Sequence, residues 1–390
     1  MNPDNTVDTA PAGPLAGLRV IEMEGVGPAP FAAMWLADMG ADVVRINRPG
    51  QRDNQGRQDV LNRGRKSLAV DMKKPGAADV VLRLIGTADV LLEGYRPGVM
   101  ERLGLGPGVC HARNPGLVYG RITGWGQDGP LAPTAGHDIN YVALTGMLGA
   151  FGPADGRPAP PLNLLGDFGG GGMFIICGVL AALFERSRSG RGQVVDAAMM
   201  DGASLLSSMI WGYRGKGRWK DEREANLFDG GAPFYGTYRC ADGRYLAVGA
   251  IEGEFWHTFT SLCGIDDAEL LAHRNDRARW PEMRERLAAA LLKRPRDAWC
   301  ALLEGTDACV SPVLDMGEAA QHPHAMARGA FFEQAGVVQP SPAPRLDRTP
   351  GRPGGLPPLV GEHSRDVLAA HGFSEQEVAA LLSAGVIQQV

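Results

Sequence analysis

Short apolar runs alternate with helical segments over the first third of the chain. The apolar runs lie at residues 18–23, 41–47, 88–95 and 117–126. The clearest helical segments between them are residues 30–40, which Pro30 begins and Gly40 ends, and residues 77–85. Strands that alternate with helices form βαβ units, whose strands are parallel. The pattern therefore predicts an α/β domain with a doubly wound parallel sheet.

The pattern becomes helical in the middle of the chain and changes again near Asp229. Apolar segments at residues 137–151 and 171–190 predict two buried helices. Beyond Asp229, two aromatic and β-branched runs joined by Ala-Asp-Gly predict a hairpin that opens a smaller α+β domain. Residues 337–363 are rich in Pro and Gly and predict an extended surface connection, after which the chain is helical again.

Length and composition narrow the class of protein. With 390 residues the chain exceeds one hydrophobic core, and two domains are expected. The net charge of −5 argues against nucleic acid as a partner. Six scattered cysteines without a C-x-x-C pair indicate buried thiols in a reducing compartment. The first residues lack the apolar segment of a signal peptide, and the longest apolar stretch is too short to cross a bilayer. We expect a cytoplasmic protein with no membrane partner.

Asp167 is the first candidate for chemistry, because four glycines follow it at residues 169–172. An Asp before a helix is a common N-cap, and glycines let helices pack closely. Alternatively, the carboxylate shares a site with an open helix start, whose backbone N–H groups stabilise an oxyanion. The residues alone leave both interpretations open.

Two further residues indicate a functional site only if partner residues lie beside them. His137 follows a Gly/Pro-rich loop at a helix start, and a lone histidine is usually structural or solvated. Glu252 ends a strand, where a carboxylate is usually solvated. The glycine-rich turn at residues 25–30 lacks the third glycine of a dinucleotide fingerprint, so it is a weak signal for nicotinamide binding.

Arginines cluster beside the end of the second predicted strand, the edge where ligands bind in open α/β sheets. They are Arg45, Arg48, Arg52, Arg57, Arg63 and Arg65. The cluster is either a solvated basic loop or a clamp for phosphate groups.

Several long motifs occur in a fixed order from about Leu15 to about Arg345. They are ADVVRINRPG, EGYRPGVMERLGLGP, TGWGQDGP, AGHDINY, LNLLGDFGGGGMF, GQVVDAAMMDG, FDGGAPFYGTYRCADGRYLAVGAIE and TDACVSPVL. Together they resemble the family III CoA-transferase (CaiB/BaiF) superfamily, and within it the racemases of 2-methylacyl-CoA thioesters. The resemblance implies an isomerase of lipid metabolism that interconverts (2R)- and (2S)-2-methylacyl-CoA. It implies no cofactor, because CoA is part of the substrate, and no metal.

The resemblance also implies roles for individual residues. His137 and Asp167 match the catalytic acid/base pair, Glu252 the carboxylate that hydrogen-bonds the histidine, and Arg102 an active-site arginine. The residues that match CoA- and substrate-binding positions are Arg48, Val70, Asp71, Met72, Lys73, Gly136, Asp138, Ile139, Asn140 and Tyr141.

The family fold implied is an interlocked homodimer, each chain having a Rossmann-like large domain and a small α+β domain. On this chain we expect a flexible tail at residues 1–12 and a large CoA-binding domain at 13–200, to which 342–390 return. Linkers are expected at 201–232 and 314–341, on either side of the small domain at 233–313.

Racemisation requires removal of the α-proton on one face of an enolate and its return on the other, which His137 and Asp167 would perform. The N–H groups after Asp167 would then bind the enolate oxygen.

The main alternative is a CoA-transferase that uses Asp167 as its nucleophile. His137 favours the racemase, because transferases usually carry a non-basic residue, typically Tyr, there. A non-catalytic acyl-CoA carrier would not need His137, Asp167 and Glu252 together, and a nicotinamide-dependent dehydrogenase lacks its fingerprint.

Overall fold

The computed structural model describes residues 13–50 and 56–390, so the predicted tail and Arg52 lie outside the described residues. The strands are β1 Arg19–Met23, β2 Asp42–Asn47, β3 Arg65–Val70, β4 Val90–Glu93, β5 Val118–Thr123, β6 Val194–Ala198, β7 Gly236–Arg239, β8 Tyr245–Val248, β9 Val310–Pro312, β10 Phe331–Gln334, β11 Val337–Pro340 and β12 Ile387–Gln388. The α-helices are α1 Pro28–Asp38, α2 Ala77–Ile85, α3 Val99–Arg102, α4 Pro107–Arg113, α5 Asp138–Leu144, α6 Phe174–Ser189, α7 Met199–Leu206, α8 Ser208–Gly215, α9 Gly253–Leu262, α10 Ala268–Ala272, α11 Trp280–Leu291, α12 Arg296–Leu303, α13 Met316–Gln321, α14 Pro323–Ala327, α15 Ser364–Ala370 and α16 Glu375–Ser383. A π-helix at Leu164–Met173 runs directly into α6, and short 3₁₀ turns lie at Gly56–Gln58, Val60–Asn62, Leu148–Ala150 and Arg277–Arg279.

The described chain divides into two compact units. The first comprises the described residues up to Val142, Leu162–Leu206 and His324–Val390, and the second comprises Ala143–Pro161 and Ser207–Pro323. These bounds differ from the predicted large domain, since residues 143–161 group with the second unit. The two predicted linkers stay a prediction.

A mixed sheet forms the centre of the first unit. In the described part of the chain it has seven strands in the order β12-β3-β2-β1-β4-β5-β6, all parallel except β12 at one edge. The order reverses between β1 and β4, and open α/β sheets bind ligands beside such a switch point, at the carboxyl ends of their strands. The predicted parallel α/β sheet is confirmed.

The π-helix and α6 form one continuous helix over Leu164–Ser189. By length and composition alone this helix of 26 residues could cross a membrane, so the prediction that the apolar stretch is too short is wrong. The π-helical residues lengthen it beyond the apolar run. Ile175, Ile176 and Val179 pack into the core of the first unit, and buried core helices meet the same criterion.

The second unit has its own core around the antiparallel strands β7, β8 and β9. The predicted hairpin is confirmed: β7 and β8 pair antiparallel, with Arg239 opposite Tyr245. Trp256, Phe259 and Trp299 fill the core beside them.

Three expectations fail in part. The start of the predicted extended connection is β11, which pairs with β10. The two apolar segments expected to be buried leave several side chains exposed, among them Leu144 and Phe184, with 54 and 68% of their surface accessible. All the cysteines are free thiols, but Cys177 and Cys309 are exposed.

Candidate active site

Two neighbouring cavities open at the carboxyl edge of the large sheet. We call them the arginine cavity, which contains Arg48, and the histidine cavity, which contains His137. Val26 and Tyr95 line both cavities, so the two are adjacent. Val26 follows β1 and Tyr95 follows β4, which places the shared wall at the switch point of the sheet.

The arginine cavity gathers residues that follow β2 and β3. Arg48 comes directly after β2, and its backbone N–H donates to Oε2 of Glu24 at 2.7 Å. The structure brings Arg48 together with Val70, Asp71, Met72 and Lys73. Because parallel strands end at the same edge, two segments distant in sequence supply cationic side chains to one cavity. Their contact with CoA stays a prediction.

Neither interpretation of the arginine cluster, a solvated loop or a phosphate clamp, holds for its buried members Arg45, Arg63 and Arg65. Arg65 is buried, and its Nε lies 2.6 Å from Oε2 of Glu22, beside Arg45. Arg63 is buried and lies 2.6 Å from Asp38. A buried guanidinium that already has its carboxylate is not available to a phosphate.

Arg57 differs from these in being only half-buried. It pairs with Glu362, with Nη2 and Oε1 2.7 Å apart. Among the described arginines of the cluster, only Arg48 lines the cavity.

The histidine cavity brings together His137, which lies just before a helix, and Asp167, which lies in another helix. His137 precedes α5, and its backbone N–H donates to Oδ1 of Asn140 at 3.0 Å. Asp167 lies within the π-helix, a conformation often found at functional sites. Gly136 and Tyr141 also line this cavity. The arrangement places an imidazole and a carboxyl group in one space, as acid/base chemistry requires.

The carboxyl group of Asp167 is half-buried and weakly hydrogen-bonded. Burial raises its pKa above the ordinary 3.8, and the negative charge of Asp138 raises it further. A hydrogen bond from Asn163, with Nδ2 and Oδ2 3.3 Å apart, and the nearby His137 act in the opposite direction. A raised pKa suits a carboxyl group that must both accept and donate a proton.

The four glycines after Asp167 serve helix packing. A Cβ on Gly170 would meet the Met199 carbonyl oxygen at 2.5 Å, and one on Gly172 would meet the Phe31 ring at 2.6 Å. The packing interpretation of these glycines therefore holds. The helix begins at Leu164, earlier than expected, so Asp167 lies in its first turn and not before its start.

Tyr141 fits into the wall because two glycines leave space for its ring. A Cβ on Gly124 would lie 2.0 Å from the ring, and one on Gly136 would lie 2.6 Å from it. The hydroxyl of Tyr141 donates to the Gly136 carbonyl oxygen. Tyr141 thus holds the loop that leads into His137.

Other predicted residues lie elsewhere. Arg102 is exposed at the end of α3; its neighbours Val99 and Leu103 line the arginine cavity, and it lines neither. Ile139 is exposed on α5. Glu252 belongs to the second unit, as the exposed residue before α9. The roles of Arg102 and Glu252 stay predictions.

Sequence reasoning missed several polar residues of the histidine cavity, among them Arg96 and Asn163. Arg96 follows β4, where Oε2 of Glu93 accepts the Tyr95 N–H at 2.7 Å and fixes the loop. The signal for Arg96 was its place just beyond a predicted strand, and the signal for Asn163 its spacing of four residues from Asp167.

The chain is similar to known proteins over most of its length. Residues 15–364 match the model of CoA-transferase family III, and the chain belongs to this family. It is 46% identical over 376 residues to alpha-methylacyl-CoA racemase of Mus musculus, covering 96% of this chain and 97% of that protein. The Homo sapiens racemase is 45% identical over the same shares. The crystal structure of a CAIB/BAIF family protein from Brucella suis superposes with a TM-score of 0.79 at 25% identity, covering 92% of this chain and 100% of that one.

Proposed function

We infer that this chain is an isomerase that racemises 2-methylacyl-CoA thioesters. The near full-length identity to the mouse and human racemases supports this activity. The observation that carries it in the structure is the joint presence of His137 and Asp167 in the histidine cavity. A transferase that uses Asp167 as nucleophile would have no need of the imidazole.

We propose a two-base mechanism. One of the pair His137 and Asp167 takes the α-proton, and the electrons of the C–H bond pass into the enolate. The other, which enters protonated, returns a proton to the opposite face. The pair therefore works with one proton shared between two groups. The segment Gly136–Tyr141 would receive the thioester, since the N–H groups after Asp167 lie within a helix.

The protein would bind its substrate through the CoA moiety. CoA is part of the thioester, so no separate cofactor is proposed. Its phosphates would lie against Arg48 and Lys73 in the arginine cavity, with the acyl end in the adjacent histidine cavity. Glu252 is proposed to orient His137 in the assembled enzyme.

Assembly as a homodimer and a cytoplasmic location complete the proposal. Support for the dimer comes from large apolar side chains that are exposed on the single chain, including Phe184, Leu205, Leu206 and Met209. A sedimentation measurement of the active enzyme tests it, with the dimer as the expected species. An active monomer would contradict it.

The decisive experiment uses single enantiomers in D₂O. With (2S)-2-methylacyl-CoA we expect deuterium at C2 and accumulation of the (2R) thioester. Repeating the incubation with a free carboxylic acid tests the transferase alternative. A new acyl-CoA formed at a rate comparable to racemisation would replace the racemase with a transferase.

A further inference from the structure

Asp138 joins the two residues of the proposed acid/base pair. It follows His137 directly and begins α5. Its side chain turns into the protein, where Oδ2 accepts the backbone N–H of Asp167 at 2.6 Å. One residue is therefore bonded to His137 through the chain and to Asp167 through a hydrogen bond.

The Asp138 side chain is held in a tight, buried space. Only 6% of its surface is exposed, and its Oδ1 has no hydrogen-bond partner within the described residues. A Cβ on Gly166 would lie 2.5 Å from Oδ2, so the glycine is what allows the carboxyl group to reach the π-helix. A buried carboxyl group with an unpaired oxygen is costly, and such groups cluster where function needs them.

We propose that Asp138 is a positioning residue that fixes Asp167 relative to His137 and tunes the proton balance of the pair. This inference rests on the proposed racemase function. It assigns to the side chain a role separate from the substrate contacts that the family resemblance implies for this segment.

The charged groups around Asp167 influence whether its carboxyl group is protonated. Asp138 is the negative neighbour and His137 the positive one when protonated, while the phenol of Tyr141 lies in the same cavity and Asn163 supplies a neutral hydrogen bond. The elements on the other side contribute the cationic Arg96, which lines the same cavity and acts on the phenol of Tyr141, and the uncharged Gly27. A negative charge beside Asp167 favours its protonated form, which a partner of neutral His137 needs.

Asp138→Asn and Asp138→Ala separate charge from position. Asn keeps an oxygen that can accept the Asp167 N–H but removes the charge, so the acid limb of kcat/KM should move to lower pH. Ala removes the hydrogen bond as well, and kcat should fall by about tenfold to a hundredfold with little change in KM. Carboxyl ¹³C titration of Asp167 should show the same shift in Asp138→Asn without any turnover.

Controls and contrary outcomes are defined by the structure. Asp89→Asn changes a carboxylate that also accepts a backbone N–H, from Arg19 at 2.9 Å, beside the starts of β1 and β4. It should leave the pH profile unchanged. Gly166→Ala should reduce kcat in a folded protein by crowding Asp138.

An Asp138→Asn variant that folds and keeps both the pH profile and the Asp167 titration would overturn the proposal. If Asp138→Ala does not fold, the proposal is still tested by Asp138→Asn and Gly166→Ala. Absence of racemisation by the unaltered enzyme would instead refute the proposed function.

Discussion

Gly27 lies against the carboxylate of Asp167. A Cβ on Gly27 would stand 3.3 Å from Oδ2 of Asp167, and the φ of Gly27 is +71°. The turn after β1 therefore needs glycine for two reasons, its backbone conformation and the room that the carboxylate takes. This contact joins the switch point of the sheet to the proposed acid/base pair.

Gly27→Ala should lower kcat/KM by about tenfold to a hundredfold, because a small displacement of a reacting group is costly. Gly190→Ala is a control for the positive φ alone, because the ψ of Gly190 is 2° and that of Gly27 is −117°. The φ of Gly190 is +72°, but no atom lies within 4 Å of the added Cβ. Both variants should lose some stability through backbone strain, and only Gly27→Ala should lose activity beyond its folded fraction. Equal activity of the two folded variants would contradict the role of this contact.

Arg48→Ala should raise KM for the thioester more than it lowers kcat. A charged hydrogen bond to a phosphate remote from the reaction is uniform binding, about 1.5–3 kcal/mol, or roughly a tenfold to hundredfold effect. Arg57→Ala is the control, since Arg57 pairs with Glu362 outside the arginine cavity. Steady-state kinetics decide; a fall in kcat at constant KM would remove Arg48 from the CoA site.

Arg63→Ala should destabilise the fold without a specific effect on catalysis. It leaves the carboxylate of Asp38 buried and unpaired, which typically costs about 3–5 kcal/mol. Arg286→Ala removes exposed pairs with Asp267 and Glu282, which solvent screens, and should cost far less than Arg63→Ala. Denaturant unfolding of both variants measures the difference. A cost for Arg63→Ala as small as that for Arg286→Ala would contradict this account of the cluster.

Local patterns in the sequence predicted the elements of the sheet well. The helix expected at residues 77–85 is Ala77–Ile85, because its apolar positions repeat at helical spacing and need no distant partner to define them. The end of β2 just before Arg48 is likewise predicted by the residues next to it in the sequence. Carboxyl ends of parallel strands then place Arg48 and Lys73 together by topology alone.

Partners that are distant in the chain could not be predicted in the same way. Arg63 has the chemistry of a phosphate ligand, and only the fold shows that Asp38 already pairs with it. The glycines after Asp167 are compatible with an open helix start, and only the fold shows that Met199 packs on Gly170. The π-helix is a further case, since no local pattern distinguishes it from an N-capped α-helix at Asp167.

The pH dependence of racemisation should be bell-shaped with an acid limb above the ordinary pKa of an aspartate. Burial and Asp138 raise the pKa of Asp167, so activity that needs this group ionised, or shared with His137, is lost as the pH falls through that raised pKa. The limbs report the pair rather than either residue. Measuring kcat/KM from pH 4 to 9 checks this. Full activity at pH 4 would contradict a raised pKa.

The two bases should be separable by enantiomer. If His137 and Asp167 serve opposite faces, removing either one abolishes delivery to its face, while the other still deprotonates its own enantiomer. His137→Ala and Asp167→Ala should both lose racemisation by about a hundredfold to ten-thousandfold. Deuterium incorporation into separate (2R) and (2S) thioesters should persist for one enantiomer in each variant, and for opposite enantiomers in the two.

Glu252→Gln is the comparison for this experiment. It removes the proposed support for His137 but neither base, so racemisation should fall less, and residual exchange should not favour one enantiomer as the alanine variants do. Folding of each variant is checked by its thermal unfolding. Equal residual exchange of both enantiomers in Asp167→Ala would mean that His137 alone serves both faces, and a one-base mechanism would replace the two-base one.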